Sequence, residues 1–330
     1  MKAAIIGIAG TGLSEAEAAL LRRHPPAGVI LFGRNVADPA QLIALTAELR
    51  STLPEGAVIM VDQEGGRVAR LKPPHWPAHP PAAAIGRAFD QDASAGLRAA
   101  WLTGALIGWD CAAAGFDVAC APVLDLRMPG AHDVVGDRSY GQNPDSVAQL
   151  ARAMAEGLLA AGVEPVGKHA PGHGRARVDS HLSLPVIDAA DLSADLLPFA
   201  RNTDLPWMMT AHIVYQGWDD SAPATLSRIV IGEVIRGRIG YHGLLLSDDL
   251  AMHALAGAPA ARAAACLTAG CDIALFCPGD PAGNAAVLEV CPPLAPAALD
   301  RMAAAKRLAR TSHLALDPLL LRRERDGILG

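Results

Sequence analysis

Three segments of this chain carry residue types that acid–base and nucleophilic chemistry require. In VDQEGGRVARL, from Val61, Asp62 ends an apolar run and is followed by Gly65, Gly66, Arg67 and Arg70. Glycines there let backbone approach a ligand closely, and Asp62 and Arg70 would bracket hydroxyl or amide groups; a tight turn held by an Asp–Arg pair accounts for the same residues. In GKHAPGHGRARVDSHLSLP, Gly167 to Pro185, His169, His173 and His181 crowd one loop with Asp179. Three histidines and a carboxylate would make a zinc set, but His169 and His173 share a face only on a helix, which Pro171, Gly172 and Gly174 oppose, and neither HxH nor HExxH occurs. Asp179-Ser180-His181 reads instead as a unit in which the carboxylate fixes one imidazole nitrogen and the other handles a proton, against the alternative of a solvated loop histidine. In GLLLSDDLAMHAL, from Gly243, a buried strand runs straight into Asp248 and Asp249. Neighbours on a strand point to opposite sides, so at most one of the two faces a site while the other braces the next helix. An ionised carboxylate so placed can attack an anomeric carbon as the leaving group is protonated.

The elements that must hold these residues are legible as apolar runs of strand length. They read AAIIGI from Ala3, GVILF from Gly28, AVIMVD from Ala57, FDVACAPVLD from Phe116, PVGKHA from Pro165, WMMTAHI from Trp207, GLLLSDD from Gly243 and CDIALFC from Cys271. Helical patterns such as DPAQLIALTAELRS and SRIVIGEVIRG separate them, with Asp38 and Ser227 where N-caps belong. Eight strand–helix units with continuously apolar strands predict a single TIM (β/α)8 barrel over residues 1–330. In such barrels chemistry gathers at the carboxyl ends of the strands. There stand Asp62, Asp125, Lys168 with His169, His212, and Asp248 with Asp249. Each alone could cap a helix; their convergence is harder to explain that way. The proline-rich stretch at residues 72–81 reads as an ordered loop that walls the site.

The composition, 51% hydrophobic and 19% charged with a net charge of -6, suits a globular core and offers no basic face to nucleic acid. Cys111, Cys120, Cys266, Cys271, Cys277 and Cys291 form no CxxC pair and read as buried thiols. The first residues read as a strand entering a helix rather than a secretory signal, and no apolar stretch reaches the roughly 18 residues of a membrane span, so a cytoplasmic location without membrane attachment is expected. Oligomeric state is not indicated.

These segments, together with GVILFGRN from Gly28, APVLDL from Ala121, VGDRSYG from Val135 and MTAHIVY from Met209, closely resemble glycoside hydrolase family 3, within it the bacterial β-N-acetylglucosaminidases that recycle cell-wall fragments. The resemblance implies a lone TIM barrel and a retaining mechanism with Asp248 as nucleophile, His181 as acid/base and Asp179 as its partner. Asp62, Arg70, Arg138, Lys168 and His169 would hold N-acetylglucosamine. The implied substrate is N-acetylglucosamine β-1,4-linked to 1,6-anhydro-N-acetylmuramic acid, with or without peptide, and no metal or organic cofactor is implied. Gly172 and Gly174 would let the His181 loop close over the sugar. Two positions depart from the pattern: Ala170 where a bulky aromatic is expected, which could loosen that loop, and Ala251 where a serine is expected. Phosphorolysis is a same-chemistry rival, because a neutral histidine does not repel phosphate; a metal-dependent hydrolase and a silent sugar-binding protein are others. Arg127, His132 and Trp76 have no role assignable from sequence.

Overall fold

Each of the eight apolar runs contributes a strand to one closed parallel barrel in the computed structural model, which describes residues 1–180 and 182–330. The strands are β1 (Lys2–Gly7), β2 (Pro26–Leu31), β3 (Val58–Val61), β4 (Val118–Ala119), β5 (Glu164–Ala170), β6 (Val186–Ile187), β7 (Trp207–Thr210), β8 (Val214–Tyr215), β9 (Leu244–Asp249) and β10 (Ile273–Phe276). β10 pairs with β1 to close the barrel, while β6 and β8 form a separate two-stranded parallel ribbon. The fourth run is shorter as a ladder than expected. Pro122 carries no N–H to donate, but the contact with β5 continues, with Val166 N–H on the Ala121 carbonyl at 2.8 Å, Lys168 N–H on the Pro122 carbonyl at 3.2 Å and Leu124 N–H on the Lys168 carbonyl at 2.7 Å.

Side-chain alternation divides the core into two layers. Ile5, Met60, Val166, Trp207, Leu246 and Leu275 fill the barrel, whereas Ile6, Ile59, Met208, Leu245 and Ala274 face the surrounding helices. Both layers are buried, hence the continuous apolar runs. Asp38 caps the helix Pro39–Thr52 by accepting from Gln41 N–H at 2.9 Å, and Ser227 Oγ accepts from Val230 N–H at 3.0 Å at the head of Val230–Arg238. All six cysteines are free and buried. Residues 72–81 are irregular, as expected, but none of them lines the central cavity. His79 is buried between Asp110, 2.9 Å from its Nε2, and Arg325, 3.0 Å from its Nδ1, which pins the loop to the outer helices.

The amino-terminal end of the barrel is plugged by Ala298, Met302 and Ala305 of the helix Pro296–Ser312. Here lies Glu164, 2% exposed, accepting from Trp207 Nε1–H at 2.6 Å. Burial pushes its carboxyl up to about 7, the Trp207 hydrogen bond pulling the other way. A carboxyl raised on folding stabilises the protein fully below its unfolded value, and that stability is lost as pH rises through 7. Glu164→Gln keeps an acceptor for Trp207 without the charge. Urea unfolding should therefore find the variant more stable than wild type at pH 8 by about 2–3 kcal/mol and little different near pH 4.5. Equal gaps at both pH values would show that Glu164 does not ionise in this range.

Candidate active site

The strand ends converge on a cavity that opens to solvent. Asp248 shares the inward parity of Leu244 and Leu246 and reaches this cavity, with Asp249 N–H donating to its Oδ1 at 2.8 Å. Asp249 has the opposite parity, although it too lines the cavity, where at most one of the pair was expected. Its Oδ1 accepts from Ala251 N–H at 2.9 Å and Cys277 N–H at 3.0 Å, the bracing role expected for the second carboxylate. Burial, together with the neighbouring Asp248 charge, raises the Asp249 carboxyl above its usual range.

Opposite stands a lattice of charges. Lys168 Nζ donates to Asp62 Oδ1 and Glu64 Oε1, both at 2.6 Å. Arg70 donates to Asp62 Oδ2 at 2.7 Å, and Arg138 grips Glu64 with two bonds of 2.8 and 2.7 Å. Burial alone would raise both carboxyls, but the cations outweigh it: Lys168 and Arg70 hold Asp62 well below the usual carboxylate range, and Arg138 and Lys168 depress Glu64. The same pairs raise Lys168 against its own burial penalty. The lattice is thus fully charged at neutral pH. Among the described residues, two of Lys168's three ammonium donors are engaged, by Asp62 and by Glu64.

His169 turns Nδ1 to Asp125 Oδ2 at 2.7 Å. Burial would raise Asp125, but His169 and His173 bring it down to about 2. An ionised carboxylate only accepts, so Nδ1 carries the hydrogen, and Nε2 lies 3.5 Å from Arg138 Nη2. His212 is buried away from the cavity between Thr225 and the Asp249 carbonyl.

Of the sequence-predicted residues, Asp62, Arg70, Arg138, Lys168, His169 and Asp248 share this cavity. Arg138 is mostly committed to Glu64 and the Val134 carbonyl, so it positions its neighbours more than it offers free donors. Asp179 lines an adjoining hollow with Arg67, Arg127 and His132, and Val134 lies on both. His181 lies outside the described residues. Trp76 packs on the hydrophobic core. Two site residues went unassigned. Glu64 lies two positions after Asp62 in the segment that follows β3, and Asp125 closes the fourth apolar run, beyond β4, beside the end of β5 that carries His169. Among the described residues no group of three His, Cys, Asp or Glu side chains converges as a metal would need.

The expected hinge at Gly172 and Gly174 is corrected by the packing. A Cβ on Gly174 would stand 2.1 Å from the Leu126 carbonyl oxygen, and Gly172, with φ +133, accepts from Tyr215 Oη at 2.7 Å. These glycines permit close approach, and the loop base is pinned rather than free. Ala170 is fully buried in the outer layer, pairs with Thr210 and receives Ala211 N–H at 2.7 Å. A small side chain there leaves this ladder intact.

A closed parallel barrel with an inward carboxylate and a lattice of paired charges at the strand ends is the arrangement of a TIM-barrel enzyme. The chain belongs to glycosyl hydrolase family 3, whose N-terminal domain matches residues 4–310. A beta-hexosaminidase of Bordetella avium (strain 197N) is 41% identical over 280 residues, 83% of this chain and 79% of that protein. One from Chromobacterium violaceum is 38% identical over 324 residues, 95% of this chain and 90% of its own length. Among solved structures, NagZ from Neisseria gonorrhoeae in complex with N-trifluoroacetyl-D-glucosamine superposes with a TM-score of 0.88 at 33% identity, covering 100% of this chain and 98% of that one. The protein is accordingly a glycoside hydrolase of the β-N-acetylhexosaminidase kind.

Proposed function

We propose that this enzyme removes terminal non-reducing N-acetylglucosamine from peptidoglycan fragments, chiefly N-acetylglucosamine joined to 1,6-anhydro-N-acetylmuramic acid with or without peptide, by two-step displacement with retention. The observation that carries the reading is the inward Asp248 sharing one cavity with the Asp62, Arg70 and Lys168 lattice. In the first step the Asp248 carboxylate attacks the anomeric carbon, the glycosidic bond breaks, and His181 gives its proton to the departing oxygen. In the second, His181 takes a proton from water, which opens the Asp248 ester and returns the carboxylate. Asp179 holds the imidazole in the tautomer these transfers need. Asp62, Lys168, Arg70 and His169 grip sugar hydroxyls and the acetamido group, and Glu64, Arg138 and Asp125 hold those groups in place.

A cytoplasmic location belongs to this proposal and is tested by cell fractionation; among the described residues no helix is long and apolar enough to cross a membrane. The central test offers the enzyme the anhydromuramyl disaccharide and 4-nitrophenyl N-acetyl-β-glucosaminide, in phosphate-free buffer with EDTA and again in phosphate. Free N-acetylglucosamine of β configuration at first release, in both buffers, is the expected result. Sugar 1-phosphate as the main product in phosphate would replace hydrolysis by phosphorolysis, and loss of activity with EDTA would restore a metal. Turnover of the aryl glycoside but not the disaccharide would keep the chemistry and overturn the substrate.

A further inference from the structure

The loop after β5 contains a buried polar pair that the proposed chemistry does not use. His173, 3% exposed, lines the cavity and sets Nε2 3.0 Å from Ser180 Oγ. Ser180, 2% exposed, lines the same cavity and stands in the chain between Asp179 and His181. His173 is anchored through its backbone, its N–H donating to Asp125 Oδ1 at 2.7 Å. That buried carboxylate also takes His169 Nδ1–H on its other oxygen, and the two rings meet edge to face with centroids 5.7 Å apart. One carboxylate therefore fixes the His169 ring and anchors the backbone of the residue whose ring meets Ser180.

What surrounds the pair shows where it acts. The loop base is tied by Tyr215 to the Gly172 carbonyl, by Arg175 to Asp195 at 2.7 Å and by His132 N–H to the Ala176 carbonyl at 2.7 Å. The far side is caught by β6 pairing with β8. Ser180 falls between these anchors, at the point where the span dips into the cavity wall. Burial keeps the His173 ring neutral, lowering it to about 4, so it offers Ser180 one defined donor or acceptor nitrogen; its Nδ1 is buried and has no partner among the described residues.

We propose that Ser180 and His173 form a latch, two positioning residues that hold the segment bearing the acid/base at the cavity and that, through Asp125, tie its placement to the engagement of sugar by His169. This rests on the assignment of Asp248 as nucleophile and His181 as acid/base. A misplaced acid slows a reaction only where the leaving group needs a proton, and general acid catalysis is worth roughly 10²–10⁴-fold when well aligned. Loosening the latch therefore costs more for a poor leaving group than for a good one.

The test measures kcat/KM for 2,4-dinitrophenyl, 4-nitrophenyl and phenyl N-acetyl-β-glucosaminides with wild type, Ser180→Ala, Ser180→Thr, His173→Ala and His181→Ala. The latch predicts that the dinitrophenyl-to-phenyl ratio rises by about tenfold in Ser180→Ala and His173→Ala, part of the larger rise in His181→Ala, and stays near wild type in Ser180→Thr, which keeps the hydroxyl. Because the ratio is taken within one enzyme preparation, partial unfolding cancels. An unchanged ratio in Ser180→Ala, or equal losses on all three substrates, overturns the latch. If His181→Ala itself leaves the ratio unchanged, the acid assignment of the proposed function has failed, whatever Ser180 does.

Discussion

Replacing Asp248 with alanine should lower kcat on 4-nitrophenyl N-acetyl-β-glucosaminide by roughly 10⁴-fold or more, because no covalent intermediate can then form. The fold should tolerate the change. Asp248 is only partly buried at the end of β9, and removing one of two adjacent negative charges relieves repulsion on Asp249. Azide added to this variant enters the face the carboxylate vacates, so the rescued product should be the α-glycosyl azide. That stereochemistry identifies the lost group as a nucleophile and not a charge that merely stabilises the transition state. Activity within tenfold of wild type, or a β-azide product, would remove Asp248 from this role.

The second large effect is on stability and binding together. Lys168→Met keeps the length of the side chain but withdraws the cation that Asp62 and Glu64 share at 2.6 Å. Breaking a buried pair leaves charge uncompensated and costs about 3–5 kcal/mol, so Lys168→Met should unfold at markedly lower urea and lose most affinity for N-acetylglucosamine. The pH dependence has a definite sign. In wild type both carboxyls lie below their unfolded values, so they contribute stability above about pH 4–5 and lose it as pH falls. Without Lys168 that depression shrinks, leaving less stability to lose on acidification. The gap between wild type and variant should therefore be widest above pH 5 and narrow towards pH 3. A gap that stays the same from pH 7 to pH 3 would mean that the lysine acts by packing and not by charge.

Residues far apart in sequence form this lattice: Lys168 and Asp62 are separated by 106 positions, Arg138 and Glu64 by 74. Their convergence was readable only as far as each stood at the end of an apolar run. The eight runs themselves were unambiguous, since a parallel sheet buried on both faces requires uninterrupted Val, Ile, Leu and Ala, and period-two alternation then gives the Asp248 and Asp249 side chains opposite parity, although both residues border the cavity. Which one shares the inward parity follows from Leu244 and Leu246 inside the barrel. Glu64 lies in the segment that follows β3, where strand alternation no longer places a side chain. Asp125 could have been matched to His169 by noting that the fourth and fifth strands are neighbours.

Other features had no local signal. Gly172 and Gly174 look like hinge glycines in sequence, and only the nearness of the Leu126 backbone and Tyr215 makes them points of close approach. The proline-rich loop suggested a wall of the site, but His79 is drawn outward by Asp110 and by Arg325, which is 246 residues away. Sequence by itself determined the barrel, the strand ends as the place of chemistry and the residue types gathered there, because these depend on burial and on side-chain period along each strand. Only the tertiary structure decided which charges pair, which carboxylate each histidine faces, and that Ser180 meets His173. Those contacts depend on the register between strands and on the paths of loops, which no single stretch of chain encodes.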